Sequence, residues 1–204
     1  MSRILKLVPV AQKRKGSYRR APGKSKAEEE AQLSLFAARQ AAIVRLDAGL
    51  SPFDAALLMD RTARPGARQA YLAALEKGDR AADAACNLGI LEAGDGAYDD
   101  AIEWFAQALA ASPAHFEAHY NLGCLYLDLE MFAPARVHLA VAAGIEGESA
   151  ELQFNLAVAL AGVGQFAASA VALRRFRNLS ADPDGDDSAR KLFGELEKAL
   201  RERA

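Results

Sequence analysis

Three stretches of the chain decide its fold, because they repeat one another at a constant spacing. They are CNLGILEAGDGAYDDAIEWFAQAL (Cys86–Leu109), YNLGCLYLDLEMFAPARVHLAVAA (Tyr120–Ala143) and FNLAVALAGVGQFAASAVALRRFR (Phe154–Arg177). Each copy starts 34 residues after the one before it, and the three align without gaps. Similarity at a fixed period of this length predicts a stack of short structural repeats.

Each repeat has the pattern of two helices. In the first copy, the Gly94–Gly96 segment is expected to end a helix over about 82–93, and Ser112–Pro113 to end a second over about 98–110. Small residues stand where neighbouring helices must approach, and larger ones such as Phe105 fill the space between them. A single hairpin of this kind cannot bury its apolar face, whereas stacked copies can.

This pattern resembles the tetratricopeptide repeat family over about residues 48–183. The motif residues that match in the best copy are Gly89, Ala101, Phe105, Ala108 and Pro113. The resemblance implies an all-α fold: a right-handed superhelix of antiparallel helix hairpins, with three to four units and a capping helix at each end. The sequence departs from the motif where Glu92 stands in place of a tyrosine, and where Ala85 or His119 replaces an early aromatic residue.

The repeats suggest a division of the whole chain. A degenerate unit is expected before the clear ones, with Ser51 as the N-cap of its first helix and Pro52 at the first helical position. The predicted segments are a disordered basic arm at 1–27, a helix at 28–48, repeats at 49–81, 82–115, 116–149 and 150–183, and a capping helix at 184–204 with an apolar stripe.

Charge is unevenly distributed along the chain. Residues 1–27 contain nine Lys or Arg and no acidic residue, whereas residues 81–153 contain twelve acidic residues and one basic residue, Arg136. The basic arm could bind nucleic acid or an anionic surface, fold back onto the acidic repeats of its own or a second copy, or serve only as a solubilising tail. Homo-oligomerisation is left open. The residues concerned are Lys13, Arg14, Lys15, Arg19 and Arg20.

The resemblance implies a concave groove lined by the first helix of each repeat. Asn87, Asn121 and Asn155 occupy the same position in three successive repeats. A side-chain amide offers both a donor and an acceptor, so a row of them could hold the backbone of an extended peptide, a use that the family resemblance also implies. Bonding between neighbouring helices is an equally weighted structural role for these asparagines.

Other groove positions would set ligand specificity. The second position of each repeat is acidic, and the fifth and ninth positions are mostly apolar or aromatic. This combination favours an apolar segment with basic flanks, and it disfavours the carboxylate tail of heat-shock chaperones, which the family binds through Lys and Arg. The acids could equally be a solvated face. The residues are Asp83, Glu117 and Glu151, with Tyr120, Phe154 and Cys124.

The sequence offers no convincing catalytic, metal or cofactor motif. His115 and His119 have a spacing that can bind zinc, but packing is the better interpretation. We therefore predict a non-catalytic adaptor that binds an extended segment of a partner protein. The alternative is a nucleic-acid-associated regulatory protein anchored by its basic arm.

Composition also bears on the compartment. Two cysteines are too few for a disulfide framework, no apolar run approaches the ~20 residues of a membrane span, and the apolar start at Ile4–Val10 lacks a signal-peptide pattern. These features favour a cytoplasmic location, with an organelle transit peptide left open.

Overall fold

The computed structural model describes residues 49–62, 65–180 and 187–201. Every regular element in these ranges is a helix, which confirms the all-α prediction. The basic arm at 1–27 and the helix expected at 28–48 lie outside the described residues. The helices are α1 (Pro52–Arg61), α2 (Ala67–Glu76), α3 (Ala81–Asp95), α4 (Tyr98–Ala111), α5 (Phe116–Asp128), α6 (Phe132–Ile145), α7 (Ala150–Gly162), α8 (Phe166–Leu179) and α9 (Asp187–Arg201).

The first eight helices pair in chain order as antiparallel hairpins joined by short turns. The chain divides into two compact units. We call the part with α1–α4 the N-terminal unit and the part with α5–α9 the C-terminal unit. The core of the N-terminal unit is built around Phe53, Tyr71 and Leu88. In the C-terminal unit, the apolar side of α9, including Leu192 and Leu196, joins the core formed by α5–α8.

Side-chain caps fix where several helices begin. The Ser51 hydroxyl accepts a hydrogen bond from the Asp54 backbone N–H at 3.2 Å, and Pro52 is the first helical residue, as the sequence predicts. The His115 Nδ1 atom accepts from the Ala118 N–H at 3.1 Å and so begins α5 in the same way.

One turn closes the first helix in each clear repeat. Gly96, Glu130 and Gly164 occupy equivalent positions, and all three have a left-handed backbone, with φ of 82°, 57° and 76°. In each case the next residue donates its N–H to a carbonyl of the preceding helix, as Met131 does to Tyr126 at 2.8 Å. In the first copy the left-handed residue is Gly96, and Gly94 stays helical. Helix α3 therefore runs to Asp95 rather than ending at about residue 93.

The helices of a hairpin come close where the sequence has a glycine. In the C-terminal unit, a β-carbon placed on Gly123 of α5 would lie 2.6 Å from Cγ of Leu139 in α6, which is closer than real β-carbons come. The missing side chain therefore lets Leu139, which is fully buried, pack directly on the backbone of α5.

A salt bridge occupies the position where the family motif has a tyrosine. Glu92 of α3 is buried, with 7% of its surface exposed, and its carboxylate pairs with the Arg68 guanidinium from α2. The same guanidinium also binds Asp95 at 2.8 Å. A charged side chain is tolerated at this position because α2 supplies the compensating charge.

Candidate functional site

The candidate site is the face of the C-terminal unit formed by α5 and α7. Asn155 of α7 brings its side-chain amide to two groove residues of α5. Its Nδ2 atom lies 3.4 Å from the Tyr120 hydroxyl and 3.3 Å from the Cys124 sulfur, and it donates to both. Three residues that the sequence singled out for the groove are thus in direct contact.

The Asn155 amide is only partly used by these contacts. The side chain is half-buried, its 3.4 Å hydrogen bond to the Tyr120 hydroxyl is long, and no hydrogen bond to its Oδ1 atom is present among the residues that the structure describes. An amide carbonyl of this kind can accept a hydrogen bond from a ligand without breaking an existing one.

The aromatic residues of the site form its floor. Tyr120 and Phe154 are buried, with 3% and 2% of their surfaces exposed. Phe116 stacks on Tyr120 at a ring distance of 6.0 Å, and Phe176 lies 5.5 Å from Phe154. These rings support the position of Asn155 and offer little free area themselves.

Cys124 is a buried, neutral thiol. Burial raises its pKa to about 12, and this effect outweighs the hydrogen bond with Tyr120, which lowers the pKa. Because the thiolate is the nucleophilic form of cysteine, a thiol that stays protonated at neutral pH is suited to packing and to weak hydrogen bonding.

Two carboxylates lie on the same two helices. Glu117 of α5 is half-buried and Glu151 of α7 is exposed. The Glu117 carboxylate is 3.7 Å from the His115 ring nitrogen, so its nearest ionisable neighbour is a histidine on its own helix end. Glu151 is accessible to a ligand, whereas only 14% of the Glu117 side chain is exposed. Both carboxylates would favour basic groups nearby.

The remaining asparagines are placed differently. Asn87 in α3 and Asn121 in α5 are buried, with 1% and 0% of their surfaces exposed, although they share the repeat position of Asn155. Asp83, also in α3, accepts a hydrogen bond from Nε of Arg80 at 2.6 Å. In the N-terminal unit, the predicted acidic groove residue is therefore already paired with an arginine.

A histidine pair lies beside the predicted residues. The Nδ1 atoms of His119 in α5 and His138 in α6 are 3.0 Å apart, and the Tyr126 ring lies 5.8 Å from that of His138. Burial lowers the pKa of His138, and the nearby His119 lowers it further. Of these two histidines, only His119 was singled out from the sequence, and His138 was missed. The signal available for His138 was the repeat alignment, in which His119 and His138 replace Ala85 and Trp104 of the repeat before.

No set of three or more His, Cys, Asp or Glu within residues 49–62, 65–180 and 187–201 is arranged to hold a metal ion. In the same ranges, no helix is both long enough and apolar enough to cross a membrane.

The pattern of helices and the sequence agree on the family of the repeats. Residues 92–153 match the family model described as tetratricopeptide repeat. The repeats within residues 92–153 are tetratricopeptide repeats. The resemblance inferred from Gly89, Ala101, Phe105, Ala108 and Pro113 is therefore confirmed. Tetratricopeptide repeats are protein-interaction scaffolds and are generally non-catalytic. A comparison with curated protein sequences gave no match.

Solved tetratricopeptide structures resemble this chain in fold. MamA from Desulfovibrio magneticus RS-1 is 19% identical, with a TM-score of 0.58 over 74% of this chain and 94% of that chain. The first tetratricopeptide domain of Spaghetti (RPAP3), bound to an HSP90 peptide, is 18% identical, with a TM-score of 0.53 over 59% and 93%. The Sgt2 tetratricopeptide domain from Aspergillus fumigatus is 16% identical, with a TM-score of 0.52 over 60% and 80%.

Proposed function

We propose that this protein is a non-catalytic adaptor whose α5–α7 face binds an extended segment of a partner protein. The observation that carries the proposal is the Asn155 amide, whose Nδ2 atom donates to Tyr120 and Cys124 while its Oδ1 atom accepts no hydrogen bond from the described residues. A backbone N–H of an extended peptide is the natural donor to such an oxygen, and this contact does not depend on the peptide's sequence.

The charges of this face suggest the chemistry of the partner. Glu117 and Glu151 favour a ligand with Lys or Arg near its apolar residues. The Spaghetti domain is bound to an HSP90 peptide, which supports peptide binding as a use of the fold. The acidic groups here favour a basic ligand over the carboxylate tail of a chaperone.

Cys86 and Cys124 are buried and form no disulfide, which is compatible with a reducing compartment, and we propose that the adaptor acts in the cytoplasm. Nucleic-acid binding through the basic arm depends on residues outside the described ranges and stays the alternative.

Fluorescence anisotropy with two pools of labelled octapeptides tests the proposal. Both pools have apolar residues at the centre; one has Lys at the flanks and the other has Glu. We expect the Lys pool to bind more tightly, Asn155→Ala to weaken binding about fivefold through loss of one hydrogen bond, and Glu151→Lys to reduce the preference for Lys flanks. Asn178→Ala, an exposed asparagine on α8, is the matched control and should bind like the wild type.

Two results would overturn the proposal. One is the absence of binding by either pool at concentrations up to about 1 mM, the weak end of specific recognition. The other is equal binding by wild type and Asn155→Ala while circular dichroism shows both to be folded.

A further inference from the structure

The second helix of each repeat presents one row of exposed positions spaced by four residues, which we call its outer row. The rows occupy equivalent positions in the three repeats, so their side chains can be compared directly. They are Asp99, Glu103, Gln107 and Ala111 in α4; Ala133, Val137, Val141 and Ile145 in α6; and Ala167, Val171, Arg175 and Leu179 in α8.

The outer rows of α6 and α8 expose large apolar side chains. Val137 and Val171 are equivalent residues of successive repeats and are 49% and 48% exposed; Ile145 and Leu179 are also equivalent and are 39% and 42% exposed. Val141, at 39%, lies between two of them. Val137, Val141 and Ile145 follow one another at four-residue intervals, so they lie on one side of α6, and the apolar positions recur on α8. Grouped exposed apolar side chains of this kind mark interaction sites.

The second helices of the three repeats differ in charge. Helices α6 and α8 contain no acidic residue and four arginines, of which Arg174 and Arg175 are exposed and Arg177 lies over the Phe193 ring. Helix α4 contains three exposed acidic residues, Asp99, Asp100 and Glu103, and no basic residue. The outer rows of α6 and α8 in the C-terminal unit are thus apolar with basic neighbours, whereas the outer row of α4 in the N-terminal unit is acidic.

We propose that this chain associates with a second copy of itself, the outer row of α4 in one copy packing on the outer rows of α6 and α8 in the other. Pairing of the α6–α8 surface with its own copy would place arginines opposite arginines, and like charges at an interface are costly. The α4 row supplies the opposite charge, and Tyr98 at its start, 43% exposed, adds apolar area. The contact joins two different surfaces and is therefore heterologous.

Analytical ultracentrifugation of the full chain, from about 1 to about 200 µM, tests this interface over the range of moderate affinities. We expect concentration-dependent association that weakens as salt is raised, because the charges are exposed. Arg174→Glu/Arg175→Glu and Asp99→Arg/Glu103→Arg should each weaken association about tenfold or more, through repulsion of like charges. Mixing the two variants should restore association, since each then meets a surface of opposite charge.

The control is Glu76→Arg/Glu148→Arg, which changes the net charge as Asp99→Arg/Glu103→Arg does, at two exposed acids outside α4, α6 and α8, and should associate like the wild type. Circular dichroism verifies that every variant is folded. A wild type that stays monomeric over the whole range overturns the proposal, and binding of anionic vesicles by that monomer would assign the α6–α8 surface to a lipid instead. Failure of the mixed variants to associate would also overturn it.

Discussion

The Phe105 ring of α4 lies directly against the backbone of Gly89 in α3. A β-carbon on Gly89 would be 2.7 Å from Cε1 of that ring, and Phe105 is fully buried. The α3–α4 hairpin can close to this distance only because residue 89 has no side chain. The same contact recurs between Gly123 and Leu139 in the next repeat.

Gly89→Ala should lower the free energy of unfolding by about 1 kcal/mol, the middle of the difference between two opposing effects. Alanine favours a helix by about 1 kcal/mol relative to glycine, but overpacking a buried contact costs about 1–3 kcal/mol. Urea unfolding measures the difference. Gly94→Ala is the matched control in the same helix, because no atom lies within 4 Å of its added β-carbon, and it should raise stability. A stabilising Gly89→Ala would mean that Phe105 can move aside.

Glu130→Gly should raise the free energy of unfolding by up to about 1 kcal/mol. Glu130 has a φ of 57°, a left-handed backbone that is unfavourable for a residue with a β-carbon, whereas the equivalent turns have Gly96 and Gly164. Glycine removes this strain but adds entropy to the unfolded chain, which limits the gain. Thermal unfolding should show a higher Tm for Glu130→Gly and a lower one for Gly96→Ala; an unchanged or lower Tm for Glu130→Gly would contradict the prediction.

Arg68→Ala should destabilise the N-terminal unit by about 2 kcal/mol. The substitution leaves the buried Glu92 carboxylate without its guanidinium partner, and the loss is moderated because Arg68 itself is 39% exposed. Adding Glu92→Tyr should restore much of the stability, since this residue is the tyrosine of the family motif. Urea unfolding of the single and double variants checks both steps. An Arg68→Ala protein as stable as the wild type would show that water solvates Glu92 adequately.

Stability should fall as the solution is acidified below about pH 6.5, the ordinary pKa of histidine. His138 has a lowered pKa in the folded protein, so between that value and 6.5 the unfolded chain binds more protons than the folded one, and acid favours unfolding. The burial of His138 and its 3.0 Å contact with His119 both oppose its protonation. His138→Gln should flatten the dependence of urea midpoints on pH over this range. An unchanged slope in that variant would assign the effect to other groups.

The 34-residue period was enough to predict the hairpins and the close contact at Gly89, because these follow from repeated small and large residues. The Ser51 cap followed instead from a serine directly before Pro52. Glutamate carries no turn signal of its own, so the left-handed backbone of Glu130 could be predicted only by its alignment with Gly96 and Gly164. The period could not separate Asn121, which is fully buried, from Asn155, which is half-buried. The two share a repeat position, and their exposure depends on what packs over each helix.

Trp104 occupies the repeat position that His138 has one repeat later. It is the single tryptophan of the chain and packs against the core of the N-terminal unit. Its fluorescence emission is therefore a local optical probe of that unit, whereas far-ultraviolet circular dichroism records the helices of both. If the two signals change together during denaturation, the repeats unfold cooperatively; if they separate, the array melts in stages.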